Sequence, residues 1–193
     1  MEQSQSSRIR DSPTVQMAAV LTSVYVLFGW LGGDFVTLNI FVALPLVQIN
    51  SAVRQGSVWM LFTSMFLHAN LLHLGGNLLF LLIFGTVLEE QVSRERWLAT
   101  FLASGLTGNI AFLLIGPLLG QEVGLGASGA IYGLLGAAGG AKGAIAMIFL
   151  LGLNFFAGGG ELAHTFGLVT GILLHEWGDR AARFLHGQAS TKF

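Results

Sequence analysis

Apolar residues gather into six runs along the chain, each bounded by charge, proline or glycine: 14–33, 70–88, 97–116, 126–141, 144–157 and 161–178. A helix needs about 20 apolar residues to cross a hydrocarbon core. The first, second, third and sixth runs fit that length. The fourth and fifth are shorter, so they begin below the surface or sit where the bilayer is thinned. The pattern predicts an all-α, polytopic membrane protein: one domain over 1–193, a bundle of six transmembrane helices, with tails at 1–13 and 180–193. The first run is not followed by a small-residue cleavage site, so it is expected to be retained as a helix.

The stretch 34–69 breaks the pattern. It is rich in Phe, Leu, Val and Met yet too interrupted to span. It is expected to lie in the membrane interface as an amphipathic loop, with Trp59 at headgroup level.

Charge supports the count of six. Six crossings place the N-terminus, the 89–96 loop, the region of Lys142 and the C-terminus on one side. That side holds Arg8, Arg10, Arg94, Arg96, Lys142, Arg180, Arg183 and Lys192, whereas Arg54 falls on the other. Cytoplasmic loops carry the excess of Lys and Arg, so both termini are expected in the cytoplasm of a multi-pass cell membrane protein. An odd count would scatter these charges over both faces.

Composition narrows the chemistry. Charged residues make up 10% of the chain, against about 25% in a soluble domain. The net charge of -1 supplies no basic field for nucleic acid. Cysteine is absent, which removes disulfides, thiolate metal sites and a thiol nucleophile. Glycine is abundant, 27 residues against 3 prolines, without a Gly-X-Y period. In lipid, small residues let helix backbones approach closely.

Polar groups at membrane depth are costly and by default mark function. Four lie near the non-cytoplasmic ends of their helices: His73 and Asn77 in the second run, Ser128 at the head of the fourth, and His164 early in the sixth. His73 and Asn77, four apart, share a helix face and can donate hydrogen bonds to a common point. The same spacing also suits two contacts that merely glue helices together, and it leaves that choice open. Ser128 sits in VGLGASGAIYGLLG, where a serine in a glycine-rich helix is often plain packing. A helix starting at Ser128 would aim its free N–H groups at an anion formed there.

The glycine pattern bears on that choice. Gly129, Gly133 and Gly136 form a stripe on the fourth run; His164, Gly167 and Gly171 form another on the sixth. Docked face to face, the two stripes bring His164 to Ser128 and put Tyr132 near the imidazole. That is a hydroxyl within reach of a base, the arrangement that activates a serine. No Asp or Glu lies at that depth, so a dyad is expected rather than a triad. His175 and His186, toward the cytoplasmic end, read as interface or tail residues. No His-Glu-x-x-His or phosphate-binding glycine loop occurs, paired intramembrane aspartates are missing, and neither a metal nor another cofactor is expected.

At these residues the sequence resembles the rhomboid family over about 45–177. Trp59 through Glu89 is similar to the family's loop-and-second-helix block, with His68, His73 and Asn77 at its His/His/Asn spacing. Gly126-Ala127-Ser128-Gly129 followed by Tyr132 resembles its Gly-x-Ser-Gly motif with a downstream aromatic, and Ala163-His164 with Gly167 and Gly171 resembles its sixth-helix motif. The resemblance implies an intramembrane serine protease in which Ser128 attacks, His164 is the base, and His73, Asn77 and the Ser128 N–H form the oxyanion hole. His68 would organise the loop, Tyr132 would stack on His164, and Glu89 would tie helices near the cytoplasmic end. The substrates implied are transmembrane segments of other proteins, cut near their outer ends. Met60 stands where the family often has Arg, and Thr165-Phe166 separate His164 from Gly167. Ala127 replaces the proline found before the serine in the inactive branch.

Two other classes compete. A non-catalytic rhomboid-like protein that binds client helices would share the fold. A small transporter or channel is opposed by the lack of a visible inverted repeat and of ionisable groups along a pathway.

Overall fold

The computed structural model describes residues 11–140 and 160–189, giving only the backbone path for 179–189. Five long helices are present among the described residues: α1 (Pro13–Gly32), α2 (Leu71–Glu89), α3 (Arg94–Ile115), α4 (128–140) and α5 (Glu161–Ala189). The fifth apolar run, 144–157, and Lys142 lie outside the described residues. Pro13–Gly32, Leu71–Glu89 and Arg94–Leu119 are each long and apolar enough to cross a membrane.

Helix ends follow capping chemistry more than hydropathy. Ser12 caps α1, accepting the Val15 N–H at 3.2 Å, with Pro13 as the first helical residue. Asn70 caps α2 by accepting the His73 N–H at 2.8 Å. Ser93 starts α3 three residues before the apolar run, through the Arg96 N–H at 3.4 Å. At the other extreme, α5 does not stop at 178 but runs on to Ala189. Hydropathy drops there, but Ala181, Ala182, Arg183 and Leu185 are good helix formers and no proline intervenes.

The exterior is apolar, as lipid-facing helices require: Leu72 is 86% exposed, Phe41 83% and Trp30 71%. Inside, Leu21, Met65, Leu81, Leu88, Trp97, Phe101, Ile131 and Leu134 are fully buried in one cluster shared by α1 to α4 and the loop before α2. Between helices in lipid, polar ties and close packing do what hydrophobic burial does in water. The Glu89 carboxylate accepts from Ser12 Oγ (2.8 and 3.0 Å) and from the Thr14 N–H (3.2 Å), fastening α2 to the start of α1. The Trp97 indole donates to the Gly85 carbonyl at 3.0 Å, fastening α3 to α2.

The connection between α1 and α2 is well built rather than loose. It contains short helical turns at Ile40–Ala43, Asn50–Arg54 and Met60–Thr63 and a 3-10 turn at Ser64–Phe66. Its strand β1 (Gln48–Ile49) pairs antiparallel with β2 (Val123–Gly124), with Gln48 opposite Gly124. This small ribbon departs from a purely helical expectation. Asn50, fully buried, donates to the Phe112 and Gln121 carbonyls at 3.1 and 3.2 Å. Trp59 is half exposed, and its indole N–H donates to the Pro45 carbonyl at 2.9 Å. The connection is therefore bolted to the C-terminal end of α3 and to the segment that enters α4.

Candidate active site

Ser128 is the first residue of α4, and the first intrahelical bond runs from the Ile131 N–H to the Ala127 carbonyl at 3.0 Å. The Ser128 N–H thus belongs to the unpaired first turn and points at the same end of the helix as its hydroxyl. His164 lies one turn into α5, its N–H bonded to the Gly160 carbonyl at 2.9 Å. The two side chains meet: His164 Nε2 and Ser128 Oγ are 2.7 Å apart. With a neutral imidazole, the hydroxyl donates to this ring nitrogen.

A seam of glycines produces that meeting. A methyl on Gly167 would strike the Gly129 carbonyl oxygen, and one on Gly171 would strike the Gly133 carbonyl oxygen. Gly136 is somewhat less tight, 2.5 Å from the Leu168 carbonyl oxygen to the position of an added methyl. The backbones of α4 and α5 therefore lie against each other, with no side chain between them. Tyr132, one turn along α4, stacks on the imidazole at 4.4 Å between ring centres and 10° between planes. This stacking restrains the plane of the imidazole.

His73 and Asn77 stand on the pocket side of α2. His73 Nδ1 accepts the Ala69 N–H at 3.4 Å, which in a neutral ring leaves Nε2 as the donor. Asn77 Nδ2 gives one hydrogen to the His73 carbonyl at 2.8 Å and keeps a second to donate. Both residues line, with Ser128, Tyr132 and His164, a cavity of about 760 Å³. Among the described residues, no Asp or Glu lines it.

Two lining glycines stand against the two imidazoles. Gly126 has φ +125°, and a methyl there would lie 2.9 Å from His73 Cε1 and 3.0 Å from Nε2. Gly160 has φ +92°, and a methyl there would lie 2.9 Å from His164 Nε2. Both positions need a left-handed backbone and an absent side chain at once. Gly126 was marked in the sequence and Gly160 was not, although it closes a run of three glycines before Glu161.

His68 stays outside the reacting group. It is 1% exposed in the turn before α2, its ring edge-on to His73 at 5.2 Å and 69°. Burial first, and the His73 ring second, hold its pKa down at about 3 against an ordinary 6.5. The unfolded chain therefore takes up a proton that the folded chain refuses, so this stability is complete above about pH 6.5 and is lost as pH falls toward 3. From pH 7 to pH 5 the loss is about 2 kcal/mol. Thermal unfolding in detergent should show it as a falling midpoint, and His68→Gln should flatten that slope. An unchanged slope would assign the acid sensitivity to another group.

The fold and the site together define a membrane-integral helical protein with a serine and a histidine paired in a cavity. The Rhomboid domain family matches residues 55–142, a stretch that includes His68, His73, Asn77 and Ser128 but not His164. Over these residues the chain carries a Rhomboid domain. It is 42% identical over 88 residues to the Rhomboid protease GluP of Bacillus subtilis, covering 46% of this chain and 17% of that protein. It is 39% identical over 87 residues to the Putative rhomboid protease YdcA of the same organism (45% and 43%). With RHOMBOID-like protein 2 of Arabidopsis thaliana it shares 34% over 144 residues (66% and 44%). The matched stretch thus spans less than half the length of each of these relatives.

Proposed function

We propose that this chain is an intramembrane serine endopeptidase using a Ser128–His164 dyad. The observation that carries the reading is the 2.7 Å contact between His164 Nε2 and Ser128 Oγ inside a cavity at a helix start. A peptide carbonyl entering the cavity is attacked by Oγ as Nε2 takes the hydroxyl proton. The oxyanion that forms is met by the Ser128 N–H, the His73 Nε2–H and the free hydrogen of Asn77 Nδ2. His164 then gives its proton to the leaving amine, and water, activated by the same nitrogen, releases the acyl group. The chemistry requires neither metal nor cofactor.

The substrates are transmembrane segments of other proteins, cut near their non-cytoplasmic ends while this chain keeps both termini in the cytoplasm. Two features support this. The cavity lies beside helices whose outer faces are apolar, and basic residues gather at the opposite end of the chain's helices.

Labelling with a fluorescent fluorophosphonate in detergent tests the proposal. The expected result is a label on Ser128 that disappears in Ser128→Ala and is weaker in His164→Ala. A folded wild-type protein that takes no label would instead favour a protein that binds client helices without cutting them.

A further inference from the structure

A part-buried polar bridge runs from the C-terminal half of α3, where Asn109 borders the cavity, to the loop that delivers Ser128, and the mechanism above leaves Asn109 without a task. Asn109, on α3, donates from Nδ2 to the Leu61 carbonyl at 2.7 Å and to Ser64 Oγ at 3.1 Å. Ser64 is fully buried, and its carbonyl accepts the Gly126 N–H at 2.9 Å. The Asn109 backbone carbonyl in turn accepts from Gln48 Nε2 at 3.0 Å. Gln48 sits in β1 opposite Gly124 of β2. The segment entering α4 is therefore anchored twice, at Gly124 through the ribbon and at Gly126 through Ser64. Both anchors lead back to Asn109.

We propose that Asn109 is a positioning residue for the oxyanion pocket, a role that rests on the protease reading of Ser128 and His164. The glycine seam fixes the distance between hydroxyl and imidazole, because it joins the bodies of α4 and α5. It does not fix the peptide planes before α4, which decide where the Ser128 N–H points and how closely Gly126 abuts His73. Those planes are set by the Gly126-to-Ser64 bond. Ser64 is in turn held in place by the Asn109 amide, which grips the 61–64 turn at two points. Without that amide the turn loses both donors, and its buried carbonyl and hydroxyl acceptors are left to find others. The hydroxyl and base still meet, but the oxyanion donors are misaimed. A misplacement of about 1 Å can cost on the order of 10² in rate.

The test compares Asn109→Ala and Asn109→Asp, the second keeping the volume while replacing the donor by an acceptor. Three quantities are read: the fluorophosphonate labelling rate of Ser128, kcat and KM on a transmembrane peptide, and amide hydrogen exchange. Labelling and kcat should fall roughly 10- to 100-fold, with KM within about threefold of wild type. Exchange should quicken in peptides covering 123–130 and stay unchanged in the core of α2 and α3. Ser64→Ala, which keeps the carbonyl that holds Gly126, should lose much less. Equal labelling with unchanged exchange at 123–130 overturns the proposal. So does exchange that rises everywhere with a lower melting point, the mark of a general structural role. If the alanine variant does not fold, the aspartate variant decides by the same readouts. If the wild type takes no label, the protease reading falls, and exchange at 123–130 still shows whether Asn109 holds the loop.

Discussion

If the chain is the proposed protease, His164→Ala should lower peptide hydrolysis by on the order of 10³-fold while the protein stays folded. A positioned general base contributes about 10²–10⁴ in rate, and the ring nitrogen bonded to the serine hydroxyl here is that of His164. His164 Nε2 lies 2.7 Å from Oγ, and no carboxylate lines the cavity among the described residues. The imidazole also sits at the edge of a cavity rather than in the main apolar cluster, so its removal leaves Tyr132 unstacked but opens no hole among Trp97, Phe101 and their neighbours. Melting should therefore shift by only a few degrees. Initial rates on a quenched transmembrane peptide, beside a thermal unfolding curve, make the comparison. A variant that keeps more than a tenth of wild-type activity would remove His164 from the role of base.

Gly167→Val strikes activity and stability together. An added carbon at Gly167 meets the Gly129 carbonyl oxygen, and also the Gly129 carbonyl carbon at 2.8 Å and its Cα at 3.2 Å. All three are backbone atoms, so nothing flexible can turn aside and the helices must part. Overpacking of this kind costs about 1–3 kcal/mol, and the separation draws the hydroxyl and imidazole apart with it. Activity should fall by at least 10², and the unfolding midpoint should drop clearly below that of His164→Ala. Gly129→Ala gives the milder contrast, since its methyl would lie 3.1 Å from the Ala163 carbonyl oxygen, where a small shift suffices. A valine at 167 with near wild-type melting would mean that the seam is looser than described.

The parts of this arrangement that could be read from the chain are those written in residue type and period. α1, α2 and α3 announce themselves because lipid demands long apolar runs, and Ser128 and His164 stand out because polar groups at that depth are rare. Their docking was readable because glycine stripes at helical spacing leave few ways for two helices to meet. The helix ends were less legible. Ser93 starts α3 by a hydrogen bond at a polar position, and α5 continues through Ala181 and Ala182 where hydropathy has already fallen. Least legible was the scaffold of the site. Asn109 is linked to Gln48 and Leu61 across 61 and 48 positions of sequence by bonds to backbone carbonyls, and to the Ser64 hydroxyl across 45, and carbonyls carry no signature in residue type. Gly160 escaped for a related reason, since its meaning depends on an imidazole four residues on turning back over it.

The glycine seam has a consequence for how the protein responds to heat. Glycine has no rotamers to freeze or release, so the layer between α4 and α5 cannot soften by gradual side-chain loosening. The spacing of hydroxyl and imidazole is then as stiff as two backbones in contact. On warming, such a pair holds its alignment almost unchanged until the helices separate, and then loses it in a single step.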